Sequence, residues 1–285
     1  MIKSPLNYTG GKYRLLPQIL PLFPQKIDRF IDLFCGGCNV GCNVIANEII
    51  FNDNDARLIK LLKVLQKNSV DKTIIKIEKI IKKYKLSNVY EHGYLYYSSE
   101  SSEGLASYNK EHFLKLRNNF NNRKRKDENY YYMFFTLIIF AFNNQIRFNS
   151  KNEYNLPVGK RDFNKSIREN LACFINFLNR ENVEFTSYDF RKIILDPARD
   201  FIYADPPYLI TCASYNEQDG WNIEDEKNLL DFLDTADSLG IKFALSNVLE
   251  SKGNTNEILK EWLDKNKKSI TFFILIITIQ ILIII

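Results

Sequence analysis

Phe201-Ile202-Tyr203-Ala204-Asp205-Pro206-Pro207-Tyr208 is an apolar, strand-forming run that stops at an acid, two prolines and an aromatic. Proline has no N–H to donate and a fixed φ, so the ladder ends there. Asp205 and Tyr208 are left at the carboxyl end of a buried strand, where open α/β sheets hold their ligands. A carboxylate accepting one N–H of a planar exocyclic amine, with the Pro206 carbonyl accepting the other, would draw that nitrogen towards sp³ geometry and free its lone pair. An aromatic three positions on offers a face for base stacking, worth about 1–3 kcal/mol. Taken alone, the four residues read equally well as an acid and a turn closing a strand.

Working outward, Phe30–Phe34 reads as a second buried strand, running into Cys35-Gly36-Gly37-Cys38-Asn39-Val40-Gly41, a glycine-rich turn expected to open a helix. Missing β-carbons let a ligand approach the backbone there. Cys38 holds the middle place of G-x-G-x-x-G, which weakens a dinucleotide reading and leaves a mononucleoside open. Ile49-Ile50-Phe51 is the next strand, with Asn52-Asp53 at its end. Asp53 either takes both hydroxyls of a ribose or caps the helix that begins at Ala56. Beyond a strand at Val183–Phe185, Asp189-Phe190 offers an acid–aromatic pair to an adenine ring. A helix over Glu224–Leu239 and a strand over Lys242–Ser246 continue the alternation, which argues for a mostly parallel sheet. Gly10-Gly11-Lys12 is no phosphate loop, because Leu6 stands where the first glycine of a Walker motif belongs.

Between these halves the apolar spacing predicts helix from Ala56 to about Lys85, loop over 88–108, and helices at Glu111–Phe120, Tyr130–Phe142 and Arg168–Leu178. The basic run Arg123-Lys124-Arg125-Lys126 reads first as a solvated face and second as a phosphate contact. Residues 143–160 read as two short strands around a polar turn. Their Arg147, Lys151, Lys160 and amide side chains are what base edges and phosphates require: Arg for guanine, Asn and Gln for adenine.

The 285 residues suit one large domain or a core with an inserted unit, and 45% hydrophobic content is enough for a sizeable core. A net charge of +5 is compatible with a nucleic-acid partner. Met1-Ile2-Lys3-Ser4-Pro5 lacks the layout of a signal peptide, and five cysteines are not a disulfide framework, so a reducing cytoplasm is expected. Cys35, Cys38 and Cys42 have no fourth Cys or His nearby, the histidines being His92 and His112, and read as small residues filling a turn rather than as a metal site. Residues 270–285 are almost all Ile, Leu, Phe and Thr. That run is short for a spanning helix and its β-branched bias favours a strand. A reading-frame slip in an AT-rich gene explains its texture best, and a tail anchor is the alternative.

The ordered set of pieces resembles the Dam-type, α-class N6-adenine DNA methyltransferases. The matching pieces are Tyr8-Thr9-Gly10-Gly11-Lys12, Asp32-Leu33-Phe34-Cys35-Gly36-Gly37, Asn52-Asp53, the hairpin from Arg147 through Asn155-Leu156-Pro157-Val158-Gly159, Asp189-Phe190 and Asp205-Pro206-Pro207-Tyr208. The likeness runs from about residue 4 to about 268. It implies a Rossmann-like S-adenosylmethionine-dependent methyltransferase sheet over 1–58 and 183–285, with an inserted, mainly helical target-recognition domain over 59–182 carrying a β-hairpin. Tyr8, where Trp is common, and Lys12 would flank the cofactor, and Gly36 and Gly37 would form its loop. Asp53 would bind the ribose and Asp189 with Phe190 the cofactor's adenine. Asp32, Phe34 and Asp205 join the cofactor-binding set. Asp205, Pro206 and Tyr208 would hold the flipped target adenine, Pro207 completing that catalytic motif. Phe142 aligns with an aromatic that wedges into the duplex. Asn143, Gln145, Arg147 and Asn149 align with DNA-contacting positions, Arg147 as a guanine reader, and Pro157 neighbours the bases.

The implied enzyme is a site-specific adenine methyltransferase of a restriction-modification or phage and host protection system. It would act as a monomer on double-stranded DNA, at a short, palindromic, GATC-like site, without metal or membrane. One rival is methylation of cytosine N4 or protein glutamine, whose enzymes more often carry Ser or Asn where Asp205 stands. A second is a catalytically impaired, truncated or frameshifted DNA-binding member, because the family ends in a polar segment where this chain has its Ile-rich run. A third is a membrane-anchored protein.

Overall fold

The computed structural model describes residues 1–8, 10–100, 102, 104–212, 220–266, 271–274 and 280–284. They form two compact units, Met1–Gly11 with Arg57–Glu181, and Lys12–Ala56 with Asn182–Ile285.

The second unit is built on a seven-stranded sheet. Its strands are β1 (Arg29–Asp32), β2 (Glu48–Asn52), β3 (Val183–Thr186), β4 (Asp200–Ala204) and β5 (Lys242–Val248); a small separate ribbon of β6 (Glu250–Ser251) and β7 (Asn254–Thr255) follows, then β8 (Thr271–Ile274) and β9 (Gln280–Ile284). The order is β3-β2-β1-β4-β5-β9-β8. Neighbours from β3 to β5 are parallel, and β9 lies antiparallel to both β5 and β8. Parallel strands are covered on both faces and therefore read as continuous apolar runs; all five residues of β4 are buried. The helices Ile223–Ser238 and Glu257–Lys265 supply Leu229, Leu233, Leu259 and Trp262 to a core shared with Ile31, Ile202, Phe243 and Leu245. The first of these helices opens on a reciprocal capping box between Asn222 and Asp225.

The described residues of the Ile-rich run, Thr271–Ile274 and Gln280–Ile284, are strands of this sheet. Ile281, Leu282 and Ile283 are buried, and Ile281 and Ile283 belong to the same core. A β-branched, uncharged sequence suits a strand with neighbours on both edges. Among the described residues no helix is long and apolar enough to cross a membrane.

Register brings Asp32 level with Phe51 on β2 and with Tyr203 on β4, and Ala204 level with Leu245 on β5. The carboxyl ends of β1, β2, β4 and β5 therefore share one edge. Chain order reverses direction there, with β2 on one side of β1 and β4 on the other, the topological switch at which such sheets bind ligands. The helix expected after the glycine-rich turn is absent. With β1 ending at Asp32 and β2 opening at Glu48, the loop consumes the connection, and a single 3₁₀ turn at Gly41–Asn43 is all that follows.

The first unit is mainly helical: Ala56–Lys67, Val70–Tyr84, Ala106–Asn121, Glu128–Phe140 and Lys165–Leu178 are its long elements. The helix expected over 56–85 is two, because Ser69 caps a new N-terminus by accepting from Lys72 N. Within 88–108, read as loop, lie a short helix at Val89–His92, a 3₁₀ turn at Leu95–Tyr97 and the opening of the Ala106–Asn121 helix. Every residue from Tyr130 to Phe140 is buried, so that helix is apolar all round rather than striped. The hairpin read into 143–160 survives only as two isolated antiparallel bridges, Ala141 with Val158 and Phe148 with Tyr154. Asparagine side chains take over the backbone groups a ladder would use. Asn149 Oδ1 accepts from Lys151 N and Glu153 N, and Asn121 Oδ1 accepts from Tyr154 N.

Candidate functional site

Asp205 follows β4 directly, and three contacts fix its carboxylate. Lys12 Nζ donates to Oδ1 at 2.6 Å and to Oδ2 at 2.5 Å, while the Tyr208 hydroxyl donates to Oδ1 at 2.8 Å. Lys12 is buried, and its ammonium lies 5.2 Å from the centre of the Tyr208 ring. Tyr208 is itself buried rather than offering an open face, and its hydroxyl lies 3.4 Å from Ser246 Oγ at the end of β5. An ionised carboxylate has about four acceptor positions. Two contacts on Oδ1 and one on Oδ2 leave capacity for one more donor, on Oδ2. Pro206 is buried beside it and Pro207 exposed.

The glycine-rich loop is tied down by two acids. Asp32 Oδ2 accepts from Gly41 N at 3.2 Å, and Asp53 accepts from Gly36 N at 3.0 Å and Asp55 N at 2.9 Å. Both are buried. Burial pushes the Asp32 carboxyl up to about 8, against the Gly41 N–H, which stabilises the anion, and with the nearby Asp205 and Asp53 charges adding to the rise. Burial likewise raises Asp53 to about 6, opposed by the N–H groups of Asp55 and Gly36. Gly41 has no room for a β-carbon, which would lie 2.4 Å from a Phe51 ring carbon. Cys38, standing where a glycine could, takes a left-handed φ of 61°. Cys35 and Cys38 are buried, and burial raises both thiols. Among the described residues no group of three His, Cys, Asp or Glu side chains is arranged to hold a metal ion.

Asn52, paired with Asp53 in the sequence but given no role of its own there, ties strand ends together. It is buried at the end of β2, donates to the carbonyls of Leu33 and Tyr188 at 3.1 and 3.0 Å, and accepts from Thr186 Oγ1 and Tyr188 N at 2.9 and 3.0 Å. One amide thus joins the ends of β1, β2 and β3 and fixes the path into Asp189-Phe190. Phe190 is buried against Phe34, ring centroids 5.5 Å apart. Asp189 caps the turn after it, accepting from Arg191 N at 3.0 Å, and pairs with the Arg191 guanidinium at 2.9 Å. Trp221, unread in the sequence, packs on both phenylalanines. Tryptophan in a polar stretch at a helix start was the signal available for it.

In the other unit, Tyr8 is partly buried and its carbonyl accepts from Gly11 N at 3.0 Å. Phe142, 51% exposed, and Asn143, at φ 54°, stand on the loop after the buried helix, with the Asn143 carbonyl held by Asn7 Nδ2 at 2.6 Å. The loop closes where Phe142 N donates to the Pro157 carbonyl at 2.9 Å and Gly159 N to the Phe140 carbonyl at 2.7 Å. A β-carbon on Gly159 would lie 2.4 Å from the Ala141 carbonyl oxygen, so only glycine permits that approach. Arg147 is exposed, its Nε donating to Asn155 Oδ1 at 2.8 Å. Gln145 holds the Tyr154 hydroxyl through its main-chain carbonyl at 2.9 Å, and Asn149 Oδ1 closes the turn by accepting from Lys151 N and Glu153 N. Pro157 is exposed.

Comparison with known proteins gives a match over residues 8–274 to the model of the D12 class N6 adenine-specific DNA methyltransferases. The type II methyltransferase M.FokI of Planomicrobium okeanokoites is 43% identical over 272 residues, which is 93% of this chain and 38% of that protein. The modification methylase StsI of Streptococcus sanguinis is 39% identical over 92% of this chain and 38% of its own length. The type II methyltransferase M1.LlaDCHI of Lactococcus lactis subsp. cremoris is 28% identical over 85% of this chain and 79% of its own. The chain thus spans well under half the length of the first two relatives.

Proposed function

Because the chain belongs to the D12 class of N6 adenine-specific DNA methyltransferases, we propose that it moves the methyl group of S-adenosylmethionine onto N6 of an adenine flipped out of a short duplex site. Type II modification is the role that the relatives' names support. The donor set fits the cofactor. Asp53 uses two of its acceptor positions on Gly36 and Asp55 and keeps two for ribose hydroxyls. Phe34 and Phe190 give an adenine ring an aromatic wall, and Gly36 and Gly37 bring bare backbone to the same edge. When bound, the cofactor supplies an electrophilic methyl on sulfur.

The chain's own residues would do the rest by positioning and electrostatics. Asp205 Oδ2 accepts one N–H of the target amine and the Pro206 carbonyl the other; the nitrogen lone pair would take the methyl as its bond to sulfur breaks, leaving the neutral thioether, and the methylated amine then gives up a proton, with no covalent intermediate on the protein. Lys12 and Tyr208 hold the carboxylate in one orientation and share its acceptor positions with the amine. The base stacks on the Tyr208 face away from Lys12, which requires that ring's cover to open. Asp189 caps its own turn and pairs with Arg191, and it keeps an acceptor position on Oδ2 for the cofactor's adenine amine. In the recognition unit, Arg147 reads guanine, Phe142 wedges into the duplex, and Asn143, Gln145 and Pro157 line the bases. Asn149 shapes the loop with its oxygen and offers its second amide N–H to the DNA.

The capacity remaining on Asp205 Oδ2 at the switch edge carries this reading. The test is transfer of a radiolabelled methyl group from S-adenosylmethionine to plasmid DNA, followed by nucleoside analysis. N6-methyladenine confirms it; DNA binding without incorporation, or label on cytosine, overturns it.

A further inference from the structure

One fully buried carboxylate in the sheet unit has no part in the chemistry above. Glu226, in the first turns of the helix Ile223–Ser238, accepts from Trp221 Nε1 at 2.6 Å, Asn247 Nδ2 at 2.9 Å and Asn256 Nδ2 at 2.8 Å. None of these donors is charged. Burying a carboxylate among neutral donors is costly unless they are well placed, so the informative question is what it holds. Asn247 and Asn256 are themselves buried and belong to the scaffold. Trp221 is partly exposed, and its ring packs on Phe34 and Phe190, which follow the carboxyl ends of β1 and β3.

There the indole meets Phe34 edge-on, centroids 5.5 Å apart at 83°, and Phe190 at 5.8 Å and 41°. Three rings from three chain segments, after β1, after β3 and before the helix, make one aromatic wall. Phe190 is buried within it, while Phe34 and Trp221 each keep accessible surface. All three rings pack on the buried core of the sheet unit. An indole N–H pinned by a buried acid cannot rotate freely, which sets the ring plane in advance.

We propose that Trp221 is a further cofactor-binding residue, contacting the purine ring of the S-adenosylmethionine nucleoside, and that Glu226 is the positioning residue that fixes its plane. This rests on the methyltransferase reading. Through Asn247 the same carboxylate also anchors the end of β5 beside Ser246, the hydroxyl near Tyr208.

The test titrates the whole chain with S-adenosylhomocysteine and separately with adenosine, following tryptophan fluorescence and calorimetric Kd. The contribution of the second tryptophan, Trp262, is removed by subtracting the signal of Trp221→Phe. Trp221 emission should quench as either ligand saturates. Trp221→Leu should raise both Kd values roughly 5- to 150-fold, the range spanned by loss of one base–aromatic stack, while Trp221→Phe stays within a few-fold. Glu226→Gln should shift Trp221 emission and weaken both ligands, with the effect on turnover falling on the cofactor KM rather than kcat. Tight S-adenosylhomocysteine binding that Trp221→Leu leaves unchanged overturns the proposal and spares the methyltransferase reading. Failure of the unaltered chain to bind S-adenosylhomocysteine overturns that reading as well. If Trp221→Leu does not fold, the quench and the Glu226→Gln shift decide, and absence of both counts against the proposal.

Discussion

The strand-end cluster and the loop over 141–160 both carry predicted site residues, yet they are built in opposite ways. Around Asp205 each polar side chain is buried or bound to a buried partner: Lys12 on Asp205, Asp32 on Gly41, Asp53 on Gly36, Asn52 across three strands. Around Arg147 the backbone bonds mostly to its own turn, and Phe142, Asn143, Arg147 and Pro157 are exposed. Chemistry that depends on fractions of an ångström belongs on rigid strand ends. Readout of a sequence belongs on a segment that can vary without disturbing them. The contrast teaches that a substitution in the first region should cost catalysis or folding, and one in the second should cost discrimination alone.

The sharpest break of that contrast is Asp205→Ala. We expect turnover to fall by about 10²–10³-fold or more, the scale for losing one preorganised electrostatic partner at the reacting group, with S-adenosylmethionine affinity nearly intact by calorimetry. Gly41→Ala tests the rigidity itself. A β-carbon 2.4 Å from the buried Phe51 ring should cost about 1–3 kcal/mol of stability by overpacking, seen as a lower denaturation midpoint. Arg147→Ala should leave that midpoint unchanged and relax preference by about 1–3 kcal/mol at one base, read by kcat/KM on single-substituted duplexes. An equal loss on every duplex would make Arg147 a phosphate contact and blur the division.

The smallest effect expected is electrostatic. Asp32 and Asp53 have folded values of about 8 and about 6, above the ordinary 3.8. The folded chain therefore binds more protons than the unfolded one between those values. The stability these groups confer is full below about pH 4 and is lost as pH rises through 6 and then 8. Asp32→Asn, neutral throughout, should gain stability over the parent at pH 8 relative to pH 5, measured by denaturant titration at both values.

Legibility followed burial. β1, β2, β4 and β5 stand within one or two residues of their sequence readings because a strand covered on both faces is an unbroken apolar run, and Pro206 and Pro207 mark where β4 must stop. The glycine loop misled: its residues announce close backbone approach, but the helix expected after it depended on how many residues the connection could spare. The loop at 143–160 misled for another reason. Its asparagines can satisfy backbone groups as well as a ladder can, and composition does not say which will win.

The amino-acid order determined where the sheet ends and that Asp205 and Tyr208 lie at that end, because patterning and proline chemistry act locally. Tertiary structure alone decided that Lys12, 193 residues away in sequence, grips Asp205, that Asn52 joins three strand ends, and that Glu226 aims Trp221. Those partners are set by which strands become neighbours, and pairings between distant segments leave no periodic trace in a single sequence.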